Sequence, residues 1–183
     1  MQRGPVDHDS NVIGAAALLL SDRVRTAVEP ISGARGGASA AVTALLGWAD
    51  GARIDALAAG LRLSHSRAVR VVDGLERDGY AVRRASATDG RVALVYLTQA
   101  GRETGERALS ARADALTEAL APLGTEERKA LANAARSILR HAAVSRPEAR
   151  ALCRYCDVEA CGHHIGRCPS TGGADARDGH EHA

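Results

Sequence analysis

The chain contains no phenylalanine, and only 2% of its 183 residues are aromatic. A core without bulky rings is filled by alanine, leucine and valine, which suit closely packed helices better than a thick β-sandwich. Because 45% of the residues are nevertheless hydrophobic and 25% are charged, the chain can bury a globular core and is not disordered throughout. We therefore expect a mainly α-helical fold.

Lysine is also nearly absent, since Lys129 is the only lysine among 24 basic residues. Arginine favours bidentate contacts with phosphate and guanine, although a GC-rich genome would produce the same bias. The net charge is only +2, so any contact with nucleic acid must come from a local basic patch.

The sequence shows no pattern of a signal peptide and no long apolar run. The apolar stretch Ile13–Leu20 follows Asp7 and Asp9 instead of a basic segment, and its helical spacing continues to Val28. No stretch approaches the roughly 20 apolar residues that a membrane span requires. We expect a cytoplasmic protein with no membrane partner, whose cysteines stay reduced.

The apolar pattern divides the chain into four segments. They are a flexible N-terminus (1–10), a main unit (11–146), a cysteine-rich tail (147–169) and a disordered C-terminus (170–183). In the main unit, long amphipathic helices flank a central segment, and the last of them is expected to bury Leu131 and Ile138. Alanine-lined faces let helices approach closely, so these flanking helices are candidates for a dimer interface.

A helix-turn-helix is expected in the central segment. Apolar residues line one face of a short helix that ends near Gly60, and Ser64 can cap a second helix a few residues later. The second helix has a narrow inward stripe and carries arginines on its outer faces. A solvated helix with an ion pair between Asp73 and Arg77 would give the same pattern.

The residues that follow predict a two-stranded wing. Two short extended runs, Tyr80–Ser86 and Arg91–Leu97, flank Asp89-Gly90, which is a strong signal for a hairpin turn. Residues 53–95 hold eight arginines against five acidic residues, a local net charge of +3. A helix for the major groove followed by a wing that bears Arg83 and Arg91 predicts binding to double-stranded DNA.

This central segment resembles the MarR family of bacterial winged helix-turn-helix transcription regulators. The resemblance rests on residues 54–101, which read IDALAAGLRLSHSRAVRVVDGLERDGYAVRRASATDGRVALVYLTQAG. The flanking helices extend the resemblance over roughly residues 11–145. It implies a mainly α fold with a small β-hairpin wing, flanked by dimerisation helices. It also implies a homodimer that places one recognition helix per subunit in successive major grooves of a pseudo-palindromic operator.

The resemblance also assigns the residues that meet DNA. Those implied to touch bases or phosphates are Ser64, His65, Ser66, Arg67 and Arg70. Arg91 would enter the minor groove, oriented by Asp89. Wings of the family commonly carry two arginines after the aspartate, whereas Gly90 replaces one of them here, so we expect weaker binding in the minor groove.

All four cysteines lie in the tail, spaced as Cys153-x2-Cys156-x4-Cys161-x6-Cys168. Four thiolates on a segment too short for its own core suit a tetrahedral zinc site, because a bound metal can supply the folding energy that burial cannot. His163 or His164 could replace one cysteine. An iron–sulfur cluster, oxidation-sensitive thiols and no metal at all are the alternatives. We expect such a tail to form a local unit separate from the winged core.

Three classes of function fit this pattern to different degrees. A DNA-binding transcription regulator, modulated by a small-molecule effector, a metal or redox state, agrees with every segment. A winged-helix scaffold for protein partners is an alternative. A thiol redox enzyme using Cys153 and Cys156 fits poorly, because such a pair is expected near a βαβ unit. No motif for nucleophilic or phosphate chemistry is present, so we expect no enzyme.

Overall fold

The first helix begins where an aspartate can cap it. The computed structural model describes residues 7–32 and 37–178. Helix α1 spans His8–Val28, and the Asp7 side chain accepts a hydrogen bond from the Ser10 amide at 3.2 Å. Residues 8–10 are therefore helical, where the sequence predicted a flexible end. The remainder of that predicted segment, residues 1–6, lies outside the described residues.

The central segment folds as the expected helix-turn-helix with a wing. Its elements are α2 (Ala38–Ala44), a π-helical turn (Leu45–Ala49), β1 (Ala52–Arg53), α3 (Ile54–Leu61), α4 (His65–Arg77), β2 (Ala81–Ala85) and β3 (Ala93–Leu97). The three strands pair antiparallel in the order β1-β3-β2. The sequence predicted only the hairpin, because a strand of two residues is too short to show alternation.

The buried core lies between α2, α3, α4 and the sheet. Its largest fully buried side chains include Val42, Leu45, Leu57, Leu75 and Val95. No aromatic side chain is among these fully buried residues, as expected from the composition. The mainly α fold with a small β-wing is confirmed, and this core fixes α4 and the wing relative to each other.

Two long helices follow the wing, α5 (Gln99–Ala119) and α6 (Thr125–Ala142). Helix α1 packs along α5, so helices from either side of the winged segment contact each other. Within one chain, the expectation that α6 buries Leu131 and Ile138 is wrong, because these side chains are 43% and 63% exposed. The helical pattern itself was correct, but its apolar face is not covered within the chain.

The cysteine-rich tail is also helical. It forms α7 (Arg146–Leu152), α8 (Val158–Cys161), a 3-10 turn (His163–Ile165) and α9 (Pro169–Asp178). Residues 170–178 thus form a helix where the sequence predicted disorder, while 179–183 lie outside the described residues. Helix α9 packs against α6 and α7, and glycine at Gly173 permits this, since a Cβ there would lie 2.4 Å from the Arg140 carbonyl oxygen.

None of the helices in the described ranges combines the length and the apolar character needed to cross a bilayer.

Candidate DNA interface and cysteine cluster

Helix α4, the second helix of the helix-turn-helix, presents its first turn to solvent. Ser64 caps the helix, because its hydroxyl accepts a hydrogen bond from the Arg67 amide at 3.3 Å. This role confirms the predicted cap. The residues predicted to meet DNA from α4 and its N-cap are all exposed: Ser64, His65, Ser66, Arg67 and Arg70.

His65 is oriented by the preceding helix of the motif. Its Nδ1 lies 2.7 Å from a carboxylate oxygen of Asp55, and Arg53 lies 3.5 Å from the other oxygen of the same carboxylate. All three side chains are well exposed. The contact fixes the imidazole ring and leaves the Nε2 side of His65 available for an outside partner.

Arg83 is bound within the protein. Its guanidinium donates hydrogen bonds to Asp73 at 2.7 Å and to Glu76, and its amide donates to Glu76 at 2.8 Å. The Arg83 side chain is only 26% exposed. Arg83 thus links β2 to α4 within the protein, and its predicted contact with DNA stays a prediction. Asp73 likewise pairs with Arg83 instead of Arg77.

The wing tip is centred on Asp89, as the sequence predicted. The Asp89 carboxylate accepts a hydrogen bond from the Arg91 amide at 3.0 Å, and both residues are exposed. Asp89 therefore orients Arg91 through the backbone. Gly90 does not adopt positive φ, and a Cβ at this position would meet no atom within 4 Å. The turn thus has no steric need for glycine.

The four cysteines come together in the tail, where all four line one cavity. The pKa of Cys153 is shifted by Cys156 and Cys168, and the pKa of Cys161 is shifted by the same two residues. All four are free thiols. The spacing in the sequence correctly indicated a cluster, because α8 and the following turn bring the chain back to the end of α7.

The thiols of the cluster are of two kinds. Hydrogen bonding from Cys153 lowers the pKa of Cys156 to about 6, and hydrogen bonding from Cys153 and Thr171 lowers the pKa of Cys168 to about 3. The same hydrogen bonds raise the pKa of Cys153, while burial raises the pKa of Cys161 to about 12. The lowered pKa values favour the thiolate form of Cys156 and Cys168, and the thiolate is the reactive and metal-binding form.

The cluster opens into a cavity of about 380 Å³ between the tail and the winged core. Besides the four cysteines, the residues that line it include Trp48, Arg146, Arg150, His163 and His164. Among the described side chains, no three or more His, Cys, Asp or Glu residues are already arranged as a metal site. The structure thus collects the four predicted ligands without placing them in coordination geometry.

The tail is docked on the helix-turn-helix, which the sequence did not predict. The Arg150 guanidinium lies 5.3 Å from the centre of the Trp48 ring, and the Thr43 hydroxyl donates to the Arg154 carbonyl oxygen at 2.7 Å. Gly60 on α3 makes room for this contact, because a Cβ there would lie 2.4 Å from Trp48. Trp48 also packs on the core, as predicted. In the sequence, Trp48 and Gly60 were the only signal of this docking surface, and they did not show that the tail packs there.

The segment that carries the interface matches a known family. Residues 39–92, from α2 to the wing tip, match the model of the MarR family. This match covers the winged helix-turn-helix, which is therefore similar to that of the MarR family. No curated protein sequence matches the chain.

Solved structures of MarR-like regulators share the fold. A probable transcriptional regulator from Pseudomonas aeruginosa is 23% identical, with a TM-score of 0.55 over 72% of this chain and 97% of its own. CouR from Rhodococcus jostii RHA1, bound to p-coumaroyl-CoA, is 22% identical, with a TM-score of 0.54 over 75% of this chain and 95% of its own. Wild-type MarR from E. coli is 19% identical, with a TM-score of 0.59 over 75% of this chain and 99% of its own. About a quarter of this chain thus lies outside each match.

Proposed function

We propose that this protein is a transcription regulator that binds double-stranded DNA as a homodimer in the cytoplasm. The observation that carries the proposal is the exposed, capped start of α4 beside an arginine-bearing wing, within a segment of the MarR family. A recognition helix offered in this way can enter the major groove, and its N-terminal residues then face the bases.

The side chains divide into base-reading and positioning groups. Arg70 and Arg67 offer planar guanidinium groups, which suit guanine edges or phosphates. Ser64, Ser66 and the free side of His65 offer shorter hydrogen-bonding groups at the helix start. Arg91 at the wing tip offers a cation to the minor groove. Arg83 is assigned a structural role instead, since two carboxylates already hold it.

Dimerisation is proposed from apolar surface that the chain leaves uncovered. Helix α1 exposes Val12, Ile13, Leu18 and Leu19, each at least half accessible, and α6 exposes Leu131 and Ile138. These helices flank the winged unit at both ends of the main unit. A second copy of the chain would cover these faces and pair two recognition helices across a pseudo-palindromic operator.

We further assign a small-molecule effector to the regulator. CouR, which shares the fold, is bound to p-coumaroyl-CoA. Regulators from this family are not enzymes, and we assign no catalytic role to Cys153 and Cys156.

The test is the salt dependence of duplex binding by the full chain. A duplex of about 30 base pairs, selected by the protein from a random library, spans two half-sites. Binding by a regulator should weaken steeply with salt, because arginines release counterions from phosphates. Duplex binding that is absent, or unaffected by salt, would contradict the proposal and leave the protein-scaffold alternative.

A substitution in α4 identifies the base-reading face. Arg70→Ala should weaken binding to the selected duplex by about 1–3 kcal/mol and relax the preference at one base pair. Arg77→Ala is the matched control, because it removes the same charge from the exposed far end of the same helix. Equal losses in both variants would contradict the assignment of Arg70 as a base contact.

A further inference from the structure

The four cysteines come from different parts of the tail and meet at one place. Cys153 caps the end of α7, Cys161 ends α8, and Cys168 directly precedes α9, while Cys156 lies in the turn between α7 and α8. All four line the same cavity of about 380 Å³. A site that gathers four thiols across three helices is built by the fold and not by sequence proximity alone.

We infer that these four cysteines bind one zinc ion, and that the loaded site holds the tail against both the helix-turn-helix and α6. Zinc is the metal that four thiol ligands suit in a closed tetrahedral site. Each cysteine has a single side-chain torsion before its sulfur. The described thiols are not yet in coordination geometry, so loading the ion requires them to turn about their Cα–Cβ bonds.

The tail needs such a centre because its own core is small. The buried hydrophobic cluster at its base consists of Ala143, Ala149 and Ala174, with Leu152 packed against it. Alanine side chains bury little apolar surface, so this cluster contributes little free energy of folding. Metal coordination supplies folding energy to small units of this kind.

The charges around the cavity also favour a loaded site. Four thiolates around Zn²⁺ carry a net charge of −2. Two arginines, Arg146 and Arg150, line the same cavity with one acidic residue, Asp50, so the arginines outnumber the carboxylate there. Arg146 also pairs with the buried Asp175 at 2.7 Å, which ties α7 to α9 on either side of the cysteines.

The cysteine cluster lies between two parts of the main unit that the tail contacts. On one side, α7 rests on α3, with Arg150 over Trp48 and the Arg154 carbonyl bound to Thr43 of α2. On the other side, Gly173 of α9 lies directly on the backbone of α6 at Arg140. The cysteine cluster thus connects the helix that supports α4 to a helix of the proposed dimer interface. Its effect on DNA affinity rests on the proposed function, whereas zinc binding does not.

The first experiment measures metal in the full chain. Mass spectrometry of protein purified without added metal should find about one zinc per chain. Cys156→Ser and Cys161→Ser should each lose most of it. His164→Ala is the matched control, because His164 lines the cavity but is 58% exposed and lies 3.2 Å from Glu159, and this variant should retain zinc.

Cobalt titration of the wild-type chain keeps the test independent of whether the variants fold. Metal-depleted protein should develop the visible absorption of tetrahedral cobalt–thiolate, saturating near one equivalent, and zinc should bleach it. Iron with sulfide in anaerobically purified protein would overturn the zinc assignment. Protein that holds neither zinc nor cobalt would overturn the site itself.

The second experiment measures affinity for the selected duplex with and without zinc at fixed salt. Chelation should weaken binding about tenfold or more, equivalent to about 1.4 kcal/mol, and zinc should restore it. Unchanged affinity after complete removal of zinc would overturn the coupling. If the zinc-loaded protein binds no duplex under any condition, the proposed function fails while the metal site stands on its own measurements.

Discussion

The winged region and the cysteine tail are held together by different means. Residues 39–97 enclose fully buried leucines and valines contributed by helices and a sheet. The tail, residues 146–178, contributes Ala149 and Ala174 to a small buried cluster that Ala143 at the end of α6 completes. Otherwise it relies on polar contacts, thiols and its packing on neighbours. The winged region therefore has a hydrophobic core of its own. The tail depends for its stability on packing against that region and, in our proposal, on a bound metal.

The tail depends on the winged region for its packing more than the winged region depends on the tail. The tail rests on α2 and α3, whose buried residues belong to the main core, and it also packs on α6. In return it covers Trp48 and the glycine face of α3. A destabilising change in the tail should therefore alter the winged region without unfolding it. A destabilising change in the winged core should unfold both regions.

The largest effect is expected from Gly101→Ala in the main unit. A Cβ at Gly101 would lie 2.0 Å from the Tyr80 carbonyl oxygen, which is a backbone atom that cannot move aside cheaply. The free energy of unfolding should fall by about 3 kcal/mol, as measured by urea denaturation. Gly14→Ala, which meets no atom within 4 Å on α1, is the control and should stabilise slightly. Equal stability of both variants would mean that α5 does not pack this tightly on the wing.

A smaller effect is expected from Gly173→Ala in the tail. Its Cβ would lie 2.4 Å from the Arg140 carbonyl oxygen, so α9 must shift away from α6. We expect a loss of about 2 kcal/mol, smaller than in the winged core because the tail can move as a unit. Gly172→Ala is the neighbouring control, since a Cβ there meets nothing within 4 Å. If both alanines behave alike in thermal unfolding, α9 is not docked on α6.

Arg83→Ala separates a structural arginine from a DNA-binding one. The substitution removes hydrogen bonds to two partly exposed carboxylates and should lower the free energy of unfolding by about 1–2 kcal/mol. Arg84→Ala removes the same charge next along β2, where the guanidinium lies 5.3 Å from the Tyr96 ring centre, and should cost less stability. A loss of duplex affinity without any loss of stability in Arg83→Ala would restore it to the interface.

The smallest effect is expected at the wing tip, from Gly90→Arg. The position is open and its φ is ordinary, so an arginine fits without strain. A second cation beside Arg91 should tighten duplex binding by about 1 kcal/mol and steepen the salt dependence by about one counterion. Gly90→Ala is the control and should leave affinity unchanged. An unchanged salt dependence in Gly90→Arg would show that the wing tip does not approach phosphates.

The sequence was sufficient to predict the winged region because its signals are local. A capping serine, helical spacing and a hairpin turn each act within a few residues, and Ser64 and Asp89 are where those signals place them. The ion pairs that Arg83 makes with two carboxylates of α4 were not predicted, because they depend on how β2 crosses α4. The tail was misjudged for the same reason. Small and polar residues such as those around Gly172 and Gly173 look disordered unless the surfaces that receive them are known.

The most direct test of the account is hydrogen exchange of the full chain with zinc and after chelation. We expect zinc to slow exchange of backbone amides in Ile54–Leu61, the α3 helix under Arg150, as well as in the tail itself, because the loaded cluster holds α7 on that helix. Protection confined to residues 146–178, with unchanged hydrogen exchange in α3, would contradict the claim that the cysteine tail and the winged region are coupled.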